Sequence, residues 1–370
     1  MAYQSVGTPR FFVSDIQFAL KKGLTSGNNS AWDATESENV SDTDVNDVSQ
    51  AGLGALFDLN PTSQQTIKSA FQHIELPITS RRINYVAWLG HNFATSISAD
   101  GNKVKAFLYD SASGSDSELN NGDNRNINHT GSATDFAGYD GFSFHLFDEY
   151  ELLGDYVQIT FNSNETTYAE SKLGAMAVGK YYEMPHSPDL SLKLSYDYSG
   201  IKTVETFGGA SLSNAFYTKP PDWGDLGAWE LDDGHGINKA LSRSGRKIYD
   251  LSFSYLDDGD VFGANQSLAK TTMATEIADG TPPASAFDGT PGENGADLDV
   301  DNNFNDNLLS DYNFYSQVIH KTNGGQLPFI FQPDKNDNTN MIIAKFDSGF
   351  KFDQVANGVY NVKLKIREVW

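Results

Sequence analysis

Apolar residues in this chain recur at every second position, and that period belongs to β-strands rather than to helices. In DLSLKLSYDYS, Leu190, Leu192, Leu194, Tyr196 and Tyr198 alternate with polar residues. In VYNVKLKIREVW, Tyr360, Val362, Leu364 and Ile366 alternate with Asn361, Lys363, Lys365 and Arg367. Both patterns predict half-buried strands. RKIYDLSFSYL sets Tyr249, Leu251, Phe253 and Tyr255 on one face. RINYVAWLG is apolar almost without a break from Ile83 to Leu89, as a central strand covered on both faces would be. RFFVSDIQFAL puts Phe12, Ile16, Phe18 and Leu20 on one side, with Ser14 the exception, and predicts a first strand over residues 10–20. Helical spacing is rarer. Across Asn303–Thr322, Leu308, Leu309, Tyr312, Tyr315 and Ile319 share a helical face, and Gly324-Gly325 stops it. Ser63–Ile74 reads equally as a helix or as extended chain leading into Pro77. The expectation is a mainly β chain of two β-sandwich-type domains with few helices.

Size and charge narrow the classes of function. At 370 residues the chain favours two domains. Its hydrophobic content of 39% and aromatic content of 12% supply a core. There are 49 acidic and 26 basic residues, a net charge of −23. So negative a body repels phosphate backbones and anionic membranes, so neither nucleic-acid binding nor membrane insertion is expected. The chain has no cysteine, which excludes disulfides, thiolate catalysis and cysteine-ligated metals. The start, MAYQSVGTPRFFVSDIQFALKKG, lacks the basic-then-apolar order of a signal peptide. No apolar run approaches the ~20 residues that span a bilayer. A soluble protein made in a cytoplasm is expected, and the sequons at Asn128 and Asn164 read as chance.

Composition also marks boundaries. Residues 26–52 are polar and acidic, and residues 110–141, 218–240 and 262–306 are rich in turn and polar residues. Long irregular segments between clean strands serve recognition or subunit contact. The layout that follows has an N-terminal strand and polar linker over 1–52, a β domain over 53–183, and a second β domain over 184–370 completed by the N-terminal strand.

Motifs for chemistry are near misses. Gly174-Ala-Met-Ala-Val-Gly179-Lys180 starts like a phosphate-binding loop, but Tyr181 stands where a magnesium-holding Ser or Thr is needed, and the run reads as a core strand. Gly52-Leu-Gly54 lacks the third glycine of a dinucleotide fingerprint. The G-x-S-x-G and H-E-x-x-H patterns are absent. His91 and Asn92 close an apolar strand, where they form either a polar rim or a strand end that satisfies a turn. Asp222, Asp225, Glu230, Asp232 and Asp233 lie beside Trp223 and Trp229. Carboxylates with an aromatic platform suit glycoside chemistry. The plainer reading is a solvated loop whose tryptophans anchor an interface. Asp297, Asp299 and Asp301 begin like a calcium loop, yet Asn302 replaces the turn glycine and Leu308 the bidentate glutamate. No enzyme, cofactor or metal site is expected.

Two segments carry a resemblance. FQHIELPITSRRINYVAWLGHNFATSISADGNKVKAFLYD, with Gly90, His91 and Asn92 after its central strand, resembles the early strands of discoidin-like, galactose-binding-type jelly rolls in phage virion proteins. DYVQITFNSN would be a later strand of the same sandwich, and the likeness spans residues 53–183. SRSGRKIYDLSFSYLDDGDVF, VIHKTNGGQLPFIFQPDKND and the last strand look like distal tail (baseplate hub) proteins of long-tailed bacteriophages. The matching positions are Arg246, Tyr249, Leu251 and Phe253, then Gly324 and Gly325, then Pro328, Phe329 and Phe331, and finally Val359 to Trp370.

The resemblance implies a virion structural protein. It would be a ring homo-oligomer, a hexamer in that family, joining the tail tube to the tail tip, with the sandwich facing outwards. Its partners would be further copies of itself, tube and baseplate proteins, and host-surface glycans. Its location would be the phage tail. Candidate carbohydrate-contact residues are His91, Asn92, Trp223 and Trp229, and candidate interface residues are Phe329, Phe331, Tyr360 and Trp370. The alternatives are a capsid decoration or tail-fibre protein, and a carbohydrate-binding module or glycoside-active enzyme.

Overall fold

A computed structural model describes residues 7–22, 57–60, 65–67, 71–77, 82–91, 103–110, 115–118, 125–126, 141–151, 156–162, 171–198, 202–214, 222–223, 226–227, 245–262, 308, 311–337, 340–347 and 349–369. The protein is mainly β. Along the chain the strands are β1 (Arg10–Phe12), β2 (Gln65–Ile67), β3 (Phe71–Pro77), β4 (Arg82–His91), β5 (Lys103–Asp110), β6 (Ser115–Glu118), β7 (Arg125–Asn126), β8 (Gly141–Glu151), β9 (Tyr156–Asn162), β10 (Ser171–Leu173), β11 (Ala175–Gly179) and β12 (Tyr181–Glu183). They continue with β13 (Lys193–Asp197), β14 (Lys202–Glu205), β15 (Ser211–Asn214), β16 (Asp222–Trp223), β17 (Leu226–Gly227), β18 (Arg246–Asp257), β19 (Phe329–Gln332), β20 (Ile342–Phe346), β21 (Lys351–Ala356) and β22 (Val359–Glu368). Two short helices, α1 (Asp15–Lys22) and α2 (Asp258–Val261), and a π-helix at Tyr315–His320 complete the described elements.

The largest sheet has the order β12-β1-β19-β20-β22-β18-β13, with β21 also paired to β22. Every pairing in it is antiparallel. Residues from both ends of the chain therefore share one sheet. β12 lies in it too, so residues 181–183, the end of the segment expected to form the jelly roll, hydrogen-bond to β1. Two four-stranded antiparallel sheets, β11-β4-β8-β7 and β3-β9-β5-β6, are built from residues 71–179.

Consecutive residues of the central strands feed two cores. Phe11, Phe329, Phe331, Ile342 and Ala344 face one cluster, with Phe253, Val318, Tyr360 and Val362. Phe12, Ile330 and Ile343 face the other, with Tyr85, Ala87, Leu89, Phe144 and Ala177 from the β11-β4-β8 sheet. A strand covered on both faces needs an unbroken apolar run, which explains PFIF and MIIA in the sequence. Phe11 sits at the centre of the first core, 5.2 Å from Phe331, 5.6 Å from Phe314 and 5.8 Å from Phe329 between ring centroids.

Several sequence expectations match this structure. β4 is central, flanked by β11 and β8, and Tyr85 to Leu89 are buried. Tyr360, Val362, Leu364 and Ile366 of β22 point into the core. Within Ser63–Ile74, the described residues 65–67 and 71–74 are extended, forming β2 and the start of β3.

Four expectations need correction. The first strand ends at Phe12, and Asp15–Lys22 is a helix. Ser14, the misfit of the alternation, caps that helix by accepting from the backbone N–H of Gln17. Asp15 in the first turn and Lys21 and Lys22 in the last suit the helix dipole.

The helix expected over Asn303–Thr322 is, among the described residues, the π-helix at Tyr315–His320 with single flanking turns. The Asn313 side chain accepts from the Ser316 N–H at 2.8 Å and starts the helix there, leaving Tyr312 exposed outside it. Gly324 and Gly325 (φ 70° and 85°) do end it.

Tyr255 leaves its face. A bulge between Phe253 and Leu256, with Tyr255 at φ 63°, turns it to solvent and puts Leu256 in the core. Finally, β13 is exposed on both faces rather than half-buried.

Candidate interaction surface

Among the described residues, those singled out for chemistry do not converge on one site. Gly174 to Gly179 are buried, with Ala175–Gly179 forming strand β11, as the core-strand reading requires. Lys180 is also buried, its ammonium 4.3 Å from the Tyr312 ring centroid, a cation–π contact instead of a phosphate site. His91 closes β4 as a buried side chain bonded to the Ser143 hydroxyl at 2.9 Å. That geometry is a satisfied strand end, not an open polar rim. Asp222 and Trp223 lie on β16, paired with Leu226–Gly227. Asn92, Trp229, Asp225, Glu230, Asp232, Asp233, the acidic run 297–302, Asn128 and Asn164 lie outside the described residues. Among the described residues no group of three or more His, Asp or Glu could hold a metal. No described helix is long and apolar enough to cross a membrane.

Of the four expected interface residues, Phe329, Phe331 and Tyr360 are fully buried in the chain's own core. Trp370 lies outside the described residues.

The exposed apolar surface is elsewhere. β13 ends the order of the largest sheet, and among the described residues no strand pairs with its outer edge. Leu194 is opposite Tyr249 and shares its face, yet it is 46% exposed, and Tyr196 is 51% exposed. The core beneath the sheet stops at Leu192, which packs on its margin. Leu190 on one side of β13 is also exposed.

The hairpin β14–β15 follows directly. Val204 is opposite Leu212, and both are exposed, as is Phe207 at the turn. The turn closes through the Ala210 N–H donating to the Thr206 hydroxyl and the Thr206 N–H donating to the Ala210 carbonyl. Gly209 sits there at φ 80°, a conformation glycine adopts at little cost. A two-stranded ribbon is marginal alone in water, so one with an apolar face calls for a covering surface.

The outward face of the same sheet is cationic, against the net charge of the chain. Lys193 and Lys365 both pair with Asp250, and Lys351 pairs with Lys363. An open groove of about 460 Å³ runs along Ser191, Lys193, Asp250, Ser252, Lys363 and Lys365. Lys365 donates to Asp347 at 3.0 Å, and that bond raises its pKa above the ordinary value of 10.5. Arg367 bridges Asp197 of β13 and Asp347 after β20, tying the edge strand to the sheet.

The alternation around Gly208-Gly209, KTVE then SLSN, carried the signal for this hairpin. The exposure of its apolar face is set by where the core stops, which local pattern does not encode. Comparison of the chain with protein-family models, with curated proteins and with solved structures finds no match.

Proposed function

We propose that this protein is a structural subunit of a tailed-bacteriophage virion, a baseplate or tail-tip ring component that joins the tail tube to the tip. The observation that carries the reading is the apolar edge at Leu190, Leu194 and Tyr196 with the adjoining Val204–Leu212 hairpin. Closed rings use heterologous contacts, and an open sheet edge with exposed apolar side chains is suited to them. The cationic groove on a chain of net charge −23 adds electrostatic complementarity between copies. The two four-stranded antiparallel sheets within residues 71–179 support the finer reading of a jelly roll there. In that reading the jelly roll faces outwards and adheres weakly to host-surface glycans, with ring multiplicity supplying avidity.

Negative-stain electron microscopy with light scattering tests the proposal. Sixfold rings that bind purified tail tubes are the expected result. A protein that stays monomeric in the presence of tubes would sink it. Trimers, or binding to capsids, would instead place the protein in a fibre or on the head.

A further inference from the structure

Ser14, Asp15, Asn313, Ser316, Gln317 and Lys321 are polar side chains buried in the fold. Two of them form a close pair. Lys321 Nζ lies 2.7 Å from Asp15 Oδ1, with side-chain exposures of 2% and 0%. Both partners are held. Asp15 is the first residue of α1 and packs on the end of β11, where a Cβ at Gly179 would come within 3.4 Å of Asp15 Cγ and 2.6 Å of the Val13 carbonyl oxygen. Lys321 donates to Gln317 Oε1 at 2.7 Å, and Gln317 in turn donates to the Asp311 carbonyl.

We propose that Asp15 and Lys321 condense to an intramolecular isopeptide bond. A proton first passes from Lys321 Nζ to an Asp15 carboxylate oxygen, turning the ion pair into a neutral amine and acid. The nitrogen lone pair then attacks Cγ and forms the N–C bond. Collapse breaks the other Cγ–O bond, and that oxygen leaves as water with its own proton and one from the nitrogen. Nothing is oxidised or reduced. A dry, fixed geometry supplies the proximity that such a condensation needs. A buried ion pair carries the desolvation cost of two charges, and a neutral amide removes it. The product ties the segment after β1 to the segment after the π-helix. The inference stands on this geometry alone and does not depend on the virion reading.

Intact-mass spectrometry of the purified full chain, incubated folded and then denatured, is the test. The expected mass is one water below that of the sequence. Digestion should yield a branched peptide joining the segment that contains Asp15 to the one that contains Lys321. Lys321→Arg, which keeps the cation but does not form this amide, should return the full mass. The full sequence mass in the unaltered chain after prolonged incubation would overturn the proposal, as would a water loss that persists in Lys321→Arg. The presence or absence of the branched peptide in the unaltered chain decides the matter even if the variant does not fold.

Discussion

Single side chains carry unequal weight here. Phe11 meets Phe314, Phe329 and Phe331 and has no exposed surface. Phe11→Ala should cost about 3–5 kcal/mol, seen as a lower denaturant midpoint at unchanged slope. Glu183 shows how a half-buried charge is kept. Burial pushes its pKa up, but hydrogen bonds from Lys335 and Arg10 outweigh this and hold it below the ordinary 4.5. A lowered carboxylate pKa contributes stability that is present above 4.5 and is lost as pH falls through the folded-state value. Glu183→Gln should therefore flatten part of the acid limb of stability against pH, and leave the slope above neutrality unchanged. Denaturant titrations repeated across acid pH measure it.

At the scale of elements, β18 joins two regimes. Its first half alternates as written, and its bulge at Tyr255 then reverses the pattern so that Leu256 fills the core. Tyr255 holds a left-handed backbone with its ring in solvent, while its N–H donates to Asn361 Oδ1. Asparagine tolerates that conformation better than a bulky residue. Tyr255→Asn should raise stability by up to about 1 kcal/mol, read as an increase in Tm. β22 was legible because one face is buried and the other wet over its whole length. The first element was not. Ile16 and Phe18 satisfy a two-residue period, while Ile16 and Leu20 satisfy a helical one. The cap at Ser14, not the apolar pattern, decides between them. β13 was legible as a strand but not as an edge, since its alternation is that of a buried strand.

At the scale of the molecule, the surface around β13 and the hairpin is the natural place for association. Leu194→Asp with Tyr196→Asp alters side chains already half in solvent. The fold should survive, with circular dichroism and Tm nearly unchanged. Self-association should weaken by at least about tenfold, measured by light scattering or sedimentation. A double variant that assembles like the parent would remove this surface from consideration and leave the ring without its proposed contact.

The strands, the covered central place of β4 and the absence of thiol chemistry are all consequences of local sequence. A two-residue period, an apolar run or a missing residue type acts wherever it stands. Which strands become neighbours is a different matter. Phe11 and Phe12 point to separate cores because β19 and β12 flank β1 on either side and sheets or helices cover both of its faces. Phe329 and Phe331 lie in the core for the same reason. Asp15 meets Lys321 only because the two ends of the chain fold into one sheet. The exposure of Leu194 depends on where that core runs out. These outcomes are set by contacts between residues hundreds of positions apart, and only the folded chain brings such residues together.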